Sequence, residues 1–190
     1  MSLIPFGFWA ASGGGAAGSY DLLETTTLTV DAASVSFDNL ISTYGSDYKH
    51  LQIRSIVRSD RPGSDGYLQM RFNLVASTSY AYHNLNGTGS NVSSTAQTSQ
   101  DSMRIANASI PGTAATSNAF GAVVTDILDP FLASKNTTVR SLAGVASSWN
   151  YINLNSALFN STAAVDEITI FAVGSDLVSA SRFSIYGIKG

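Results

Sequence analysis

Side chains able to do acid–base or nucleophilic chemistry are few in this chain, and their spacing limits what they can do. There are two histidines, His50 and His83, and no cysteine. The missing thiols remove disulfide scaffolds, thiolate zinc sites and cysteine nucleophiles together. Neither histidine has acids patterned around it, so a Ser-His-Asp triad or a zinc site would have to be assembled from distant pieces. Paired carboxylates occur at Asp60 with Asp65, Asp126 with Asp129, and Asp166 with Glu167. Two carboxylates can hydrolyse a glycoside when they flank the scissile bond. Here Asp60 and Asp65 bracket the turn-forming "SDRPGSDG", and Asp126 and Asp129 precede Pro130. In both settings Asp is favoured because its carboxylate accepts bonds from nearby backbone amides. The 60–65 loop also has too few oxygen donors for Ca²⁺. No nucleophile elbow, phosphate-cradling loop or H-E-x-x-H pair is present. The expectation is a protein that is not an enzyme, with no catalytic residue, no metal site and no cofactor.

Two groups of residues point instead to binding. Tyr80, Tyr82, Trp149 and Tyr151 alternate in "SYAYH" and "SSWNYIN" beside Asn and Ser. Aromatic faces with amide hydrogen-bonders suit carbohydrate, which presents apolar faces and hydroxyls; the same alternation equally suits rings packed in a core or against a subunit. The second group is "LIPFGFWAASGGGAAG", residues 3–18, an apolar cluster followed by a tract almost without side chains. Its apolar run is far below the ~20 residues that span a bilayer, and Pro5 and Gly7 interrupt it. No Lys or Arg precedes it, as an export signal would require, so it is expected to remain on the mature chain. Fixing so long a Gly-rich segment costs more conformational entropy than the burial of Phe6, Phe8 and Trp9 returns. Further contacts are needed, and a neighbouring chain offers them. Leu3, Ile4, Phe6, Phe8 and Trp9 are therefore the candidate partner-binding residues of an assembly arm, residues 1–20. The alternative is that the same rings fold back onto the chain's own sheet.

The elements that must position these residues are strands. The 190 residues carry 10 Lys and Arg against 13 Asp and Glu, a net charge of −3, and lack the basic footprint of a nucleic-acid binder. Neither nucleic acid nor a membrane is an expected partner. Charged residues make up 12% of the chain, about half the usual ~25%, which leaves strand edges with little protection against pairing. After Gly18 short β-type runs alternate with turn chemistry, and no long 3.6-residue periodicity appears. Strands are predicted over 22–30, 34–37, 48–58, 67–75, 79–83, 103–110, 120–128, 137–146, 150–154, 165–173 and 182–188. In "YLQMRFNLV" Leu68, Met70, Phe72 and Leu74 share one face; in "KHLQIRSIVR" Leu51, Ile53 and Val57 do. Residues 59–66 read as a hairpin loop between these two strands, and 84–102 as a long polar loop. One helical turn each is predicted within 37–43 and 127–134, and "SNAFGAVVTDILDP" is ambiguous between strand and short helix. The pattern predicts one all-β domain, 21–190, an antiparallel β-sandwich that is jelly-roll-like, with an immunoglobulin-like sandwich as the competitor.

Four phrases carry a resemblance: "YKHLQIRSIVRSDR" (48–61), "VTDILDP" (124–130), "KNTTVRSLAG" (135–144) and "SRFSIYGIKG" (181–190). In order and spacing they resemble small virion structural proteins of tailed bacteriophages, particularly those of aquatic origin. The resemblance implies a β-rich particle protein located in the virion, either decorating the capsid or belonging to the tail and its fibres. It implies other virion proteins as partners and supplies no catalytic residues. Such subunits are usually symmetric homo-oligomers, and a trimer is the expected one. Two functions follow: a capsid decoration or cement protein docked through its arm, or a tail-fibre or receptor-binding module whose tyrosines contact host glycan.

Overall fold

The computed structural model describes residues 19–147 and 150–190. Within them the chain runs through β1 (Tyr20–Thr27), β2 (Ser34–Phe37), α1 (Leu40–Tyr44), β3 (His50–Val57), β4 (Asp65–Phe72), β5 (Tyr80–Gly87) and β6 (Val92–Gln100). It continues through β7 (Met103–Pro111), β8 (Gly121–Leu128), β9 (Thr137–Ala146), β10 (Asn150–Phe159), β11 (Ile168–Ala172) and β12 (Arg182–Ile188). The strands form two antiparallel sheets, an eight-stranded one ordered β1-β12-β3-β8-β9-β10-β5-β6 and a four-stranded one ordered β2-β11-β4-β7. The molecule is an all-β antiparallel sandwich. Successive strands from β1 to β4 fall alternately in the two sheets, as do β11 and β12, so most pairings are between strands distant in sequence.

Alternation builds the core. Leu51, Ile53 and Val57 of β3 and Leu68, Met70 and Phe72 of β4 are all fully buried. Phe159 packs edge-on to Phe72, with ring centroids 5.6 Å apart, and stacks on Tyr80 at 5.0 Å. At Gly121 the sheets come so close that a Cβ would lie 2.0 Å from the carbonyl oxygen of Ser109, and no side chain fits there.

Several predicted elements differ. Leu74 does not join the buried face of β4: it is exposed, because Asn73 (φ 51°) and Leu74 (φ 55°) both turn into the left-handed region and end the strand. The turn is held from both sides. Asn73 Oδ1 accepts from the backbone N–H groups of Asp166 (2.8 Å) and Glu167 (3.1 Å), while the buried Tyr80 hydroxyl accepts from Phe72 N–H at 2.9 Å. Residues 59–66 are not a hairpin loop, since β3 and β4 belong to different sheets and the segment crosses between them. The stretch 84–102 is largely a hairpin rather than a loop: β5 continues to Gly87 and pairs with β6 from Gly87↔Val92 to Tyr80↔Gln100. The helical turn predicted within 37–43 is α1, whereas 127–134 ends β8 and continues through turns without helix. The ambiguous "SNAFGAVVTDILDP" contains β8.

Phe159→Ala removes the ring that joins Tyr80 to Phe72, and the cavity left behind lowers the unfolding free energy by about 3–5 kcal/mol. Urea denaturation read by near-UV circular dichroism measures this loss.

Candidate functional site

The residues first considered for chemistry serve the framework. His50 on β3 and His83 on β5 are separated by three intervening strands. His50 Nδ1 accepts from the backbone N–H of Asp129 at 3.1 Å, and Asp129 is ion-paired to Lys135, which holds its carboxyl below the usual range. Asp60 Oδ1 accepts from Asp176 N–H at 2.8 Å, Asp166 Oδ1 from Ile41 N–H at 2.9 Å, and Asp126 Oδ1 from Gln52 Nε2 at 2.7 Å. Among the described residues no three His, Cys, Asp or Glu side chains gather as a metal cluster, and no helix is long and apolar enough to cross a membrane.

The tyrosines divide. Tyr80 and Tyr82 are buried, at 1% and 5% exposure, and face the interior of the sandwich. They present no face to a glycan, which corrects their assignment as candidate sugar platforms. Alternation put both rings on one face of β5, and that face is the inner one. Trp149 lies outside the described residues, as do Leu3, Ile4, Phe6, Phe8 and Trp9. Tyr151 remains half-buried at the start of β10. Burial first, then the nearby Tyr67 and Asp65, pushes its hydroxyl pKa up, partly offset by hydrogen bonds with Asn107 and Ser93. Beside it Arg104 stacks on Tyr67 (4.6 Å) and Tyr82 (5.1 Å), Arg61 stacks on Tyr67 at 5.0 Å, and Arg104 Nη1 donates to Asn107 Oδ1 at 2.8 Å. Tyr67 is not among the candidate binding residues, although alternation sets it on the face of β4 opposite Leu68, Met70 and Phe72. Arg104 carried no such signal.

Behind this cluster the interior turns polar. β7 is the last strand of its sheet, and its free backbone edge lies against the inner faces of β9 and β10. Side chains bond that edge where a strand would otherwise pair. Ser141 Oγ donates to the Ile105 carbonyl at 2.6 Å and Asn155 Nδ2 to the same oxygen at 3.2 Å. Asn153 Nδ2 donates to the Asn107 carbonyl at 2.9 Å, while its Oδ1 accepts from Asn107 N–H at 3.2 Å. Asn107 Nδ2 continues to Asn86 Oδ1 at 2.9 Å.

The opposite, outer face of the eight-stranded sheet is where apolar side chains are exposed. Register places Val124, Leu142, Leu154 and Leu85 side by side on β8, β9, β10 and β5. Two residues along, Ala122, Gly144, Ile152, Gly87 and Val92 form a second row. Val124 is half-buried, whereas the exposure of Leu154, Leu85, Leu142, Ile152 and Val92 runs from 48% at Leu154 to 78% at Val92. Leu85, Gly87, Val92, Leu142, Ile152 and Leu154, with Asn86 and Asn153 at its floor, line a depression of about 260 Å³ whose exposed atoms are apolar. A polar row, Asp126, Arg140, Ser156 and His83, bounds it on one side. The sheet ends at β6, "VSSTAQTSQ", an edge strand with no charged residue and no proline, exposed along nearly its whole length. The chain matches no protein-family model, no curated protein and no solved structure.

Asn153→Ala strips partners from both peptide groups of Asn107, and buried unpaired groups cost about 1–3 kcal/mol each. A loss of about 2–4 kcal/mol is expected in urea unfolding. The Asp129 pair behaves differently. Its carboxyl pKa is lowered in the folded state, so the pair stabilises above the ordinary carboxylate pKa of about 4 and that stability disappears as pH falls through the lowered value. Lys135 is half-exposed, which limits the effect to about 0.5 kcal/mol or less. Lys135→Met therefore melts slightly below the parent at pH 7, and the difference closes in more acidic buffer.

Proposed function

We propose that the chain is a bacteriophage virion structural protein of the capsid decoration or cement type, attached to neighbouring subunits through its N-terminal arm, residues 1–20. The observation that carries this reading is the exposed double row of Leu142, Leu154, Leu85, Ile152 and Val92 on the outer sheet face. An apolar field of this kind, rimmed by polar residues, marks a surface made to be covered. The uncharged edge strand β6 adds a backbone template beside it. Strand order supports the same reading. Setting aside the hairpin partners β5-β6 and β9-β10, the sheets are β1-β12-β3-β8 and β2-β11-β4-β7. That is the nested order of an eight-stranded jelly roll, an architecture shared by viral capsid and lectin domains. The four sequence phrases that resemble phage virion proteins point the same way, to a homo-oligomer among other virion proteins.

A second reading, a tail-fibre or receptor-binding module, is favoured by the half-buried cluster of Tyr151, Tyr67 and Arg104. Its rings and guanidinium offer apolar faces and hydrogen-bond donors of the kind a host glycan would need.

Copy number separates the two readings. Quantitative mass spectrometry of purified particles is expected to count hundreds of copies per virion; a handful would exclude decoration and favour the fibre. Removing residues 1–18 is expected to leave a folded β domain by circular dichroism that no longer co-sediments with particles, and unfolding of that truncation would overturn the arm assignment.

A further inference from the structure

We infer that the depression on the outer sheet face is the seat for the apolar segment "LIPFGFW", residues 3–9, of a neighbouring copy of this chain, so that copies are joined by exchanged arms. The inference rests on the reading of residues 1–20 as an assembly arm and names what the arm meets.

Chemistry comes first. The lining residues Leu85, Gly87, Val92, Leu142, Ile152 and Leu154 carry no charge, and the segment 3–9 carries none either. Gly87 lines the depression beside Ile152 without a side chain to fill it, and a Cβ there would come into contact with Ile152 Cγ2 at 3.4 Å. Flat aromatic rings such as Phe6, Phe8 and Trp9 can enter notches of this kind and bury large apolar area there. The charged row of Asp126 and Arg140 confines an apolar guest to the Leu and Ile side.

Reach then decides which copy supplies the segment. The Ser19 carbonyl accepts from Lys189 N–H at 3.1 Å, so the chain leaves the sheet beside the Tyr20↔Ile188 end of β1. The depression's two rows lie level with Thr25↔Ser184 (Leu142, Leu154, Leu85) and with Thr27↔Arg182 (Ile152, Gly87, Val92), four strands across from β1 at Leu142 and five at Ile152. At ~4.8 Å per strand and ~3.4 Å per residue, the straight path from Ser19 is ~26 Å to Leu142 and ~34 Å to Ile152. The ten steps from Ser19 back to Trp9 span at most ~33–36 Å when fully extended. A Gly-rich tether of that length has a root-mean-square span of only ~17 Å. Within one chain Trp9 meets the near edge at Leu142 only with the tether drawn well beyond that span, and Ile152 only with it at full extension; an arm from a second copy is not bound to that starting point. Reciprocal exchange between two copies gives a two-fold dimer, and passing each arm on to the next copy around a closed circle gives a cyclic oligomer such as a trimer.

The absence of native cysteine makes the test direct. One chain carries Ala10→Cys, beside the segment, and a second, distinguishable in mass, carries Ser94→Cys, beside Leu85 on the same face. Both leave the proposed contacts intact. Mixed and treated with a short bismaleimide, they are expected to give a heavy-light cross-linked dimer, whose yield falls at least tenfold when Leu154→Asp is added to the Ser94→Cys chain. Leu154 is half-exposed, and circular dichroism checks that the variant stays folded. Cross-linking confined to single chains in the doubly substituted protein, no cross-link at all, or a yield indifferent to Leu154→Asp in a folded variant each overturns the inference. Particle co-sedimentation is scored in parallel. Chains that cross-link without joining particles overturn the virion reading alone, and chains that join particles without cross-linking overturn this one alone.

Discussion

A four-stranded sheet cannot cover an eight-stranded one, and much of this structure follows from how the uncovered strands are stabilised. β7 is the last strand available on the smaller side, and its outer backbone edge has no strand to pair with. Unpaired and buried, those peptide groups would each cost a substantial part of the protein's stability. The Asn and Ser side chains of β9 and β10 supply the missing partners, with Asn153 reproducing for Asn107 the donor and acceptor that a neighbouring strand would present. An amide side chain suits this role because it carries both functions at one end. The left-handed residue Ala108 and the register shifts around Leu68 turn Asn107 toward that network. The polar interior is therefore a structural joint, and it lets the large sheet continue past the small one as the β9–β10 and β5–β6 hairpins.

That continuation determines the outer surface as well. Because Asn84, Asn86, Asn153 and Asn155 occupy the inner positions of β5 and β10, the residues between them must face outward. Those residues include Leu85, Ile152 and Leu154. A slip of one residue would bury the leucines and expose the asparagines, which simple hydrophobicity would favour. The register is held instead by the joint to β7 and, further along the same strands, by the packing of Tyr80, Ala157 and Phe159. The apolar rows outside and the amide network inside are two sides of one choice of register.

How far the sequence revealed this depended on what each signal measures. Alternation over Leu68, Met70 and Phe72, and over Leu51, Ile53 and Val57, reports burial on one face, and burial is what the structure shows there. The same signal failed at Leu74, because side-chain pattern says nothing of the left-handed turn that Asn73 imposes. "VSSTAQTSQ" has no apolar alternation and its composition is that of a loop; it is a strand because β5 pairs with it. Residues 59–66 carry genuine turn chemistry, but such residues do not record which sheet the chain enters next. Tyr80 and Tyr82 were correctly placed on one face together, and which face was the core lay beyond any local pattern. Least legible was the role of the asparagines, since polar residues in strands read as the solvent side.

The exposed rows and the β6 edge meet at one corner, and Val92 belongs to both. Natural sheets usually blunt such an edge with Lys, Pro or an inward charge, and an outer face usually carries charged side chains between its apolar ones. Neither device is present on this side of the molecule until the row of Asp126 and Arg140 is reached. On the other half of the same face Leu22 and Ile56 are exposed singly, and polar and aromatic groups bond to one another between them: Arg54 lies over the stacked rings of Tyr20 and Tyr186, and Gln52 ties Tyr20 to Asp126. The contrast locates the unsatisfied part of the sheet. A partner that covers Leu85, Ile152 and Leu154 must run beside β6, and a partner that pairs with β6 must touch Val92, so the two features form one continuous surface.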